Sequence, residues 1–330
     1  MKPVLWGVLG VSKHFITRVL LPMQKSDIVD LHAVASRSED KAREAASRYG
    51  IPKYYGSYDA LLADESVEAV FIPLPNHLHL EWIRKAADAG KHILCEKPLT
   101  LNVRETREAI DYAASKDFLL MEAFMYRFHP QWLHARDLVH TGTIGRVTAV
   151  HTFFAYNNSD PSNIRNILET GGGALYDIGC YAVSVARFMF GAEPKRVMSL
   201  IDRDSDFGTD VLSSAVLDFG MGRSVFTVGT KTFGRQTVDV FGTGGSIHIH
   251  LPFNTYPDVP AKITVVTGLG SRDVVFDPVD QYGLEMEEFS RAVRDGGPVP
   301  TPPDDALRNI AAIDAIFRSE KTGEWKDVDF

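Results

Sequence analysis

The first third of the chain alternates short apolar runs with helix-patterned segments. Val4-Leu5-Trp6-Gly7-Val8-Leu9 is almost wholly apolar and runs into Gly10, the pattern of a strand buried on both faces. A helical stretch follows to about Gln24, and then comes the apolar run Leu31–Ala35. Residues 39–49 are rich in Ala, Arg, Lys and Glu and stop at Gly50, which predicts a helix. Lys53–Tyr55 and Ala69–Ile72 read as the third and fourth strands. A helix over 78–89 ends at Gly90, and His92–Cys95 is the fifth strand. A helix over 102–115 leads to the last, Phe118–Met121. Repeated strand–helix units with short connections predict a doubly wound parallel sheet with helices on both faces. Right-handed crossovers favour the dinucleotide-binding strand order.

After about residue 123 the period changes. Helices are expected over 130–140 and 174–190. Between and after them, 146–156, 211–219, 223–230, 236–242 and 262–267 alternate with period two, separated by links such as Gly220-Met221-Gly222 and Gly242-Thr243-Gly244-Gly245. That pattern predicts an open, mostly antiparallel sheet with one face on a helix layer and the other free, a surface suited to self-association as a homodimer or homotetramer. The fold class is therefore α/β: a Rossmann domain over 1–122, then an α/β substrate-binding and oligomerisation domain over 123–330. The closing helix near 303–319 has the option of packing back on the first domain.

The 330 residues suffice for about two domains with their own cores. Lys and Arg total 35 against 43 Asp and Glu, a net charge of −8 without basic clusters, which argues against nucleic acid or an anionic membrane as partner. No run of about 18 apolar residues is present, and Met1-Lys2-Pro3 leads straight into a strand without a signal segment. The two cysteines, Cys95 and Cys180, exclude a disulfide framework and fit a reducing cytosol. A soluble, cytoplasmic protein is expected.

Candidate chemistry lies where the parallel strands end. The first turn reads Gly10-Val11-Ser12-Lys13-His14-Phe15, and a glycine turn between strand and helix lets the backbone approach a pyrophosphate. The fingerprint is eroded, with Ser12 at its second glycine position and Phe15 at its third, and an ordinary βα turn accounts for it equally. After the second strand, where NAD-binding domains place an acid for the ribose 2′-hydroxyl, stands Ser36-Arg37. Ser36 can donate to a 2′-phosphate, and Arg37 can pair with it and stack on adenine. The alternative is a solvated loop arginine; NADP is expected over NAD.

The fourth strand runs into Pro73-Leu74-Pro75-Asn76-His77-Leu78-His79, at the edge where ligands bind. Leu74, Pro75 and His77 are cofactor candidates there, with a structural role open for both histidines. No further ligands stand at a recognisable spacing, so no metal is expected. The fifth strand ends in Cys95-Glu96-Lys97-Pro98. A lysine leaving a buried strand needs a partner, such as Glu96, to offset its desolvation, unless it reaches solvent along the strand end. Gly171-Gly172-Gly173 then opens a helix in which Ile178, Ala182, Val185 and Met189 form the apolar stripe. Asp177 and Tyr181 share a neighbouring face. Such a pair can orient a substrate and move a proton, or the aspartate can simply answer the helix dipole.

Together these segments resemble the Gfo/Idh/MocA family (glucose–fructose oxidoreductase and inositol dehydrogenase) over nearly the whole chain. The most specific signals are Ala89-Gly90-Lys91-His92-Ile93-Leu94-Cys95-Glu96-Lys97-Pro98 and Gly171-Gly172-Gly173-Ala174-Leu175-Tyr176-Asp177-Ile178-Gly179. Ser36-Arg37 and Met121-Glu122-Ala123-Phe124-Met125-Tyr126-Arg127-Phe128-His129-Pro130 look most like the branch of NADP-dependent D-xylose dehydrogenases, dihydrodiol dehydrogenases and sugar ketoreductases. The resemblance implies hydride transfer between nicotinamide C4 and a carbinol or carbonyl carbon of a sugar or cyclic diol, without a metal. It makes Lys97, which also stands at the cofactor, the residue on the substrate oxygen and Asp177 a hydrogen-bond partner of the substrate. Many members carry a catalytic histidine where this chain has Tyr181; the glucose–fructose and dihydrodiol branches carry tyrosine there. A tyrosine of ordinary pKa, about 10, is a poor base at neutral pH, and a lysine ammonium beside it would stabilise its phenolate. The resemblance also makes Arg165 a contact for cofactor and substrate. Tyr126, Arg127, Phe154 and Tyr282 are weaker pocket candidates, with core or surface roles equally open.

An aldopyranose dehydrogenase of the D-xylose or D-glucose kind is the leading expectation, with an NADPH-dependent keto- or anhydro-sugar reductase second. Some proteins of this fold sense nucleotides without turnover. The presence of Lys97, Asp177 and Tyr181 together argues for an enzyme.

Overall fold

In the computed structural model, which describes residues 2–330, the apolar runs of the first third are the strands of one sheet. The elements are β1 (Val4–Leu9), α1 (Leu20–Lys25), β2 (Val29–Ala35), α2 (Glu39–Tyr49), β3 (Lys53–Tyr55), α3 (Tyr58–Leu62), β4 (Ala69–Ile72), α4 (His79–Asp88), β5 (His92–Glu96), α5 (Val103–Ser115) and β6 (Leu120–Ala123). All six strands are parallel, in the order β3-β2-β1-β4-β5-β6. This is the dinucleotide-binding order expected of the pattern. Local chemistry sets the helix ends. Ser38 and Asn102 cap α2 and α5 through their side chains, and Gly50 ends α2 at φ +66°.

The last strand starts two residues later than the pattern predicts. Asp117 takes φ +61° and the Phe118 N–H returns to Ala113 O, so Phe118 finishes the end of α5 before β6 begins.

After α6 (Pro130–His140) and β7 (Val147–Asn157) comes α7 (Cys180–Phe190), then β8 (Arg196–Arg203), β9 (Asp210–Asp218), β10 (Arg223–Gly229), β11 (Lys231–Gly242), β12 (Gly245–Ile249), β13 (Ala261–Thr267) and β14 (Gly270–Phe276). With β15 (Lys326–Asp327) these strands form one sheet ordered β14-β13-β12-β11-β7-β10-β9-β8-β15, antiparallel except for β7 against β10. Alternation sorts its faces. Val150, Phe226, Val228, Val238 and Val240 are buried, whereas Val225 and Phe241 lie open and Leu200 is 79% exposed. The pattern did not reveal β8, β12, β14 or β15. Five of the seven residues of β14 are exposed, so its alternation carries little contrast.

The contacts divide the chain into two units: residues 2–125 with 282–307, and 126–281 with 308–330. The second domain was expected over 123–330, with only the closing helix near 303–319 free to pack back, but α8 (Gln281–Asp295) lies, from Tyr282 on, with the first unit. Trp6 is the physical reason: its Nε1 donates to Ser290 Oγ at 3.0 Å and its ring meets Phe289 at 5.4 Å. Arg294 adds bonds to the Lys2 carbonyl and to Glu68. The boundary between the units also falls within α9 (Pro303–Thr322).

Neither cysteine is in a disulfide, and both are buried. Among the described residues no helix is long and apolar enough to cross a membrane, and no group of three His, Cys, Asp or Glu could hold a metal ion.

Candidate functional site

In the first unit the C-terminal ends of β1, β2, β4 and β5 gather Gly10, Val11, Ser12, Ser36, Arg37, Leu74, Pro75, His77, Glu96 and Lys97 along one edge of the sheet. Gly10 has φ +131°, a conformation that glycine adopts readily and L side chains rarely do. Ser12 Oγ accepts the Phe15 N–H at 3.0 Å, ahead of a wide π-turn over Phe15–Val19. Single π-turns recur at functional sites. The Phe15 ring is buried, so this residue shapes the turn from inside.

Ser36 ends β2 nearly buried and accepts the Ser38 N–H at 3.2 Å, while Arg37 is exposed. Arg37 bonds the phenol of Tyr58, whose pKa burial raises against the pull of that guanidinium. The same phenol oxygen lies 3.9 Å from the place a Cβ would take on Gly10. Tyr58, which the sequence did not mark, thus stands between the end of β2 and the glycine turn. No carboxylate occurs in Ser36-Arg37-Ser38. An accessible guanidinium, flanking hydroxyls and a positive-φ glycine together fit a phosphorylated dinucleotide.

The turn after β5 is held from two sides. The ring nitrogens of His79, fully buried, face Pro98 O at 3.0 Å and Leu74 O at 2.9 Å, joining the loop after β4 to this turn. His79 is therefore structural, while His77 stays exposed. Glu122 Oε1 accepts the Leu99 N–H at 2.8 Å, and the Lys97–Pro98 peptide is cis. Lys97 itself is half-buried, with its N–H on Glu96 Oε2 at 3.3 Å. Burial pushes the Glu96 carboxyl up, but His14 at 3.3 Å, Lys97 and His79 outweigh it and leave the group below the usual carboxylate range. Tyr282, at the start of α8, sets its edge on His14 at 5.6 Å. One turn on, Glu285 is 1% exposed and its Oε1 has no hydrogen-bond partner. Burial, with the charge of Glu96 added, holds its carboxyl well above the usual range.

In the second unit, Asp177 and Tyr181 do follow the glycine run, but not on one regular helix. Leu175–Gly179 is a second π-turn and α7 starts only at Cys180. Glycine at 179 permits it, since a Cβ there would lie 2.9 Å from Leu175 Cδ2. Asp210 anchors the turn's start. Its Oδ2 accepts the Leu175 N–H at 2.7 Å, and its Oδ1 fills the place a Cβ would take on Gly173, whose φ is +119°.

Asp177 receives the Tyr156 hydroxyl on Oδ2 at 2.6 Å and Arg165 Nε on Oδ1 at 3.0 Å. Burial, then the charge of Asp177 and this bond, push the Tyr156 phenol far above its ordinary value. Tyr181 is 6% exposed and rests on aromatic rings: Phe253 at 5.0 Å, Phe154 at 5.9 Å and Tyr126 at 5.9 Å. Phe154 stacks on Phe253 at 4.9 Å, and Tyr126 shares a hydrogen bond with Ser184 at 2.7 Å. Both are buried, as pieces of the platform under Tyr181. Arg127 donates to the same Ser184 at 2.7 Å. Tyr156 was overlooked, although it stands two residues after Phe154 on one strand and so shares its face.

Residues 4–124 match the GFO/IDH/MocA oxidoreductase family with its NAD-binding Rossmann fold, and 132–248 match the GFO/IDH/MocA C-terminal domain. An uncharacterized oxidoreductase of Rhizobium meliloti is 43% identical, over 99% of this chain and 100% of that protein. The D-xylose 1-dehydrogenase (NADP(+)) 2 of Haloferax volcanii is 39% identical, again over 99% and 100%. Among solved structures, a 3-ketoreductase from Actinomadura kijaniata in complex with NADP and TDP-benzene superposes with a TM-score of 0.91 at 28% identity, covering 96% of this chain and 98% of that one.

Proposed function

Because the chain belongs to the GFO/IDH/MocA oxidoreductase family, we propose that it is an NADP-dependent aldopyranose dehydrogenase acting on sugars of the D-xylose or D-glucose kind. The observation that carries this reading is its likeness over full length to the NADP-dependent D-xylose dehydrogenase. The Ser36-Arg37 pair, offering a guanidinium and a hydroxyl with no carboxylate, supports NADP over NAD. When bound, the nicotinamide supplies or accepts the hydride at C4.

The chain's own residues then do the rest. Gly10, Val11 and Ser12 admit the pyrophosphate, with Phe15 shaping their turn. Ser36 and Arg37 hold the 2′-phosphate. Leu74, Pro75, His77 and Glu96 line the nicotinamide half. In the first unit, Lys97 polarises the substrate oxygen. In the second, Tyr181 takes or gives the hydroxyl proton, Asp177 orients the sugar through a hydrogen bond, and Arg165 contacts the ligands. Tyr282 in the first unit, and Phe154 and Tyr126 in the second, are further substrate-contact candidates.

The 3-ketoreductase superposition favours a second reading, reduction of a keto-sugar by the same groups. Hydride transfer is reversible, so one set of residues serves both directions. The open face of the second sheet, with Leu200, Val225 and Phe241 uncovered, supports assembly as a homodimer or homotetramer.

The deciding experiment follows the cofactor's near-ultraviolet absorbance with NADP⁺ or NAD⁺ against aldopyranoses, inositols and trans-diols. Reduction of NADP⁺ by a pyranose is the expected outcome. Silence there, with NADPH consumed by a keto-sugar, would replace the first reading with the second.

A further inference from the structure

Asp177 and Tyr156 are joined by a hydrogen bond of 2.6 Å between two half-buried groups. The tyrosine comes from β7 and the aspartate from the π-turn ahead of α7. Arg165 Nε meets the other carboxylate oxygen at 3.0 Å, so each oxygen has a donor of its own. Two donors from different elements fix both the rotation and the tilt of a carboxylate, which one donor cannot do. Short bonds from neutral donors to an ionised acceptor are the strong kind.

We propose that Tyr156 is a positioning residue of the site: its hydroxyl holds Asp177 ionised and in one orientation, ready to accept a hydrogen bond from the substrate. This rests on the reading of Asp177 as the sugar-orienting carboxylate. The phenol keeps its own proton throughout, because burial and the neighbouring charge oppose phenolate formation. Tyr156 is thereby separated in role from Tyr181, which stands on the rings of Phe154 and Phe253. The other charged group around this clamp is Asp210 from β9, whose charge acts on Tyr156 in the same direction as Asp177. Asp210 is itself engaged by the Leu175 N–H and Ser213 Oγ.

The test is Tyr156→Phe in the full chain, which removes one oxygen and keeps the ring. With that donor gone Asp177 is held by Arg165 alone and leaves its productive orientation, so KM for the sugar rises severalfold, with about tenfold, the worth of one hydrogen bond to a charged group, as the upper bound. The acid limb of kcat/KM moves to higher pH, because the carboxylate has lost a donor that favours its charged form. NADPH affinity, followed by fluorescence, stays at the wild-type value.

A readout independent of turnover is the carboxyl ¹³C signal of Asp177, assigned by its disappearance in Asp177→Asn. Its titration midpoint rises in Tyr156→Phe; an unchanged midpoint overturns the proposal whatever KM does. If the wild type turns over no sugar, the functional reading fails, while this titration still decides the clamp. Should Tyr156→Phe fail to fold, the wild-type chain decides. A hydrogen-bonded phenolic proton gives a downfield, slowly exchanging resonance that Asp177→Ala removes, and its absence from wild type refutes the bond.

Discussion

Glu285→Gln changes one atom in a buried side chain and is expected to alter how the fold responds to pH. Glu285 is 1% exposed, has an oxygen without a hydrogen-bond partner, and lies within reach of the Glu96 charge. Burial and that charge both oppose its ionisation, so its carboxyl is protonated in the folded chain well above the ordinary carboxylate range. The unfolded chain ionises the same group near its ordinary value. Above that value the folded state therefore binds more protons than the unfolded state. This contribution to stability is fully present below the unfolded pKa and is lost as pH rises toward the folded one. Over that window each pH unit removes about 1.4 kcal/mol, a ceiling of about 2.7 kcal/mol between pH 6 and pH 8. Glutamine keeps the shape and cannot ionise, so that loss vanishes in the variant. Urea unfolding of the cofactor-free protein at pH 6, 7 and 8 measures it. Trp6 is a local reporter, since its indole N–H is bonded to Ser290 on the same helix as Glu285. Wild type is expected to lose stability relative to Glu285→Gln with each step up in pH. Parallel pH profiles for the two proteins would refute the argument that this acid is held neutral.

Arg37→Ala is expected to weaken NADPH binding about tenfold or more while leaving NADH binding nearly unchanged, as titration by fluorescence would show. Lys97→Met and Tyr181→Phe are each expected to abolish most turnover and leave the NADPH dissociation constant within about threefold of wild type; turnover at the wild-type rate in either would remove that residue from the proposed chemistry. Gly173→Ala puts a methyl group on the Asp210 carboxylate at a backbone angle that L residues avoid. It is expected to lower stability by about 1–3 kcal/mol or more, read as a fall in Tm.

The sequence was most legible where one pattern dominates. Wholly apolar strands such as Ala69–Ile72 and capped helices such as Glu39–Tyr49 fall on the expected residues, because both faces of such a strand are buried and Ser38 and Gly50 mark the helix ends. The proposed site positions at strand ends rest on a related reason: a parallel sheet offers ligands one edge, and Ser36, Lys97 and His77 all come just beyond it. The residues missed act through contacts distant in sequence. Tyr156 meets Asp177 across 21 positions and Glu122 meets Leu99 across 23, and neither pairing leaves a local signature. The π-turn at Asp177 was hidden as well, since a glycine that leaves room for Leu175 beside it changes no hydrophobic periodicity.

The discontinuity of the first unit bears on how the chain is made. β1 through β6 are complete by Ala123, yet the partners of Trp6, Lys2 and Glu68 are Ser290 and Arg294. During synthesis from the N-terminus, the six-stranded sheet waits through some 160 further residues before α8 arrives to cover the tryptophan. Contacts that close a loop this long come late and slow the search for the native state. The nascent sheet therefore exposes the Trp6 face throughout translation of the second unit, an interval in which a chaperone has an apolar surface to hold. The polypeptide seals its oldest strand with one of its newest helices.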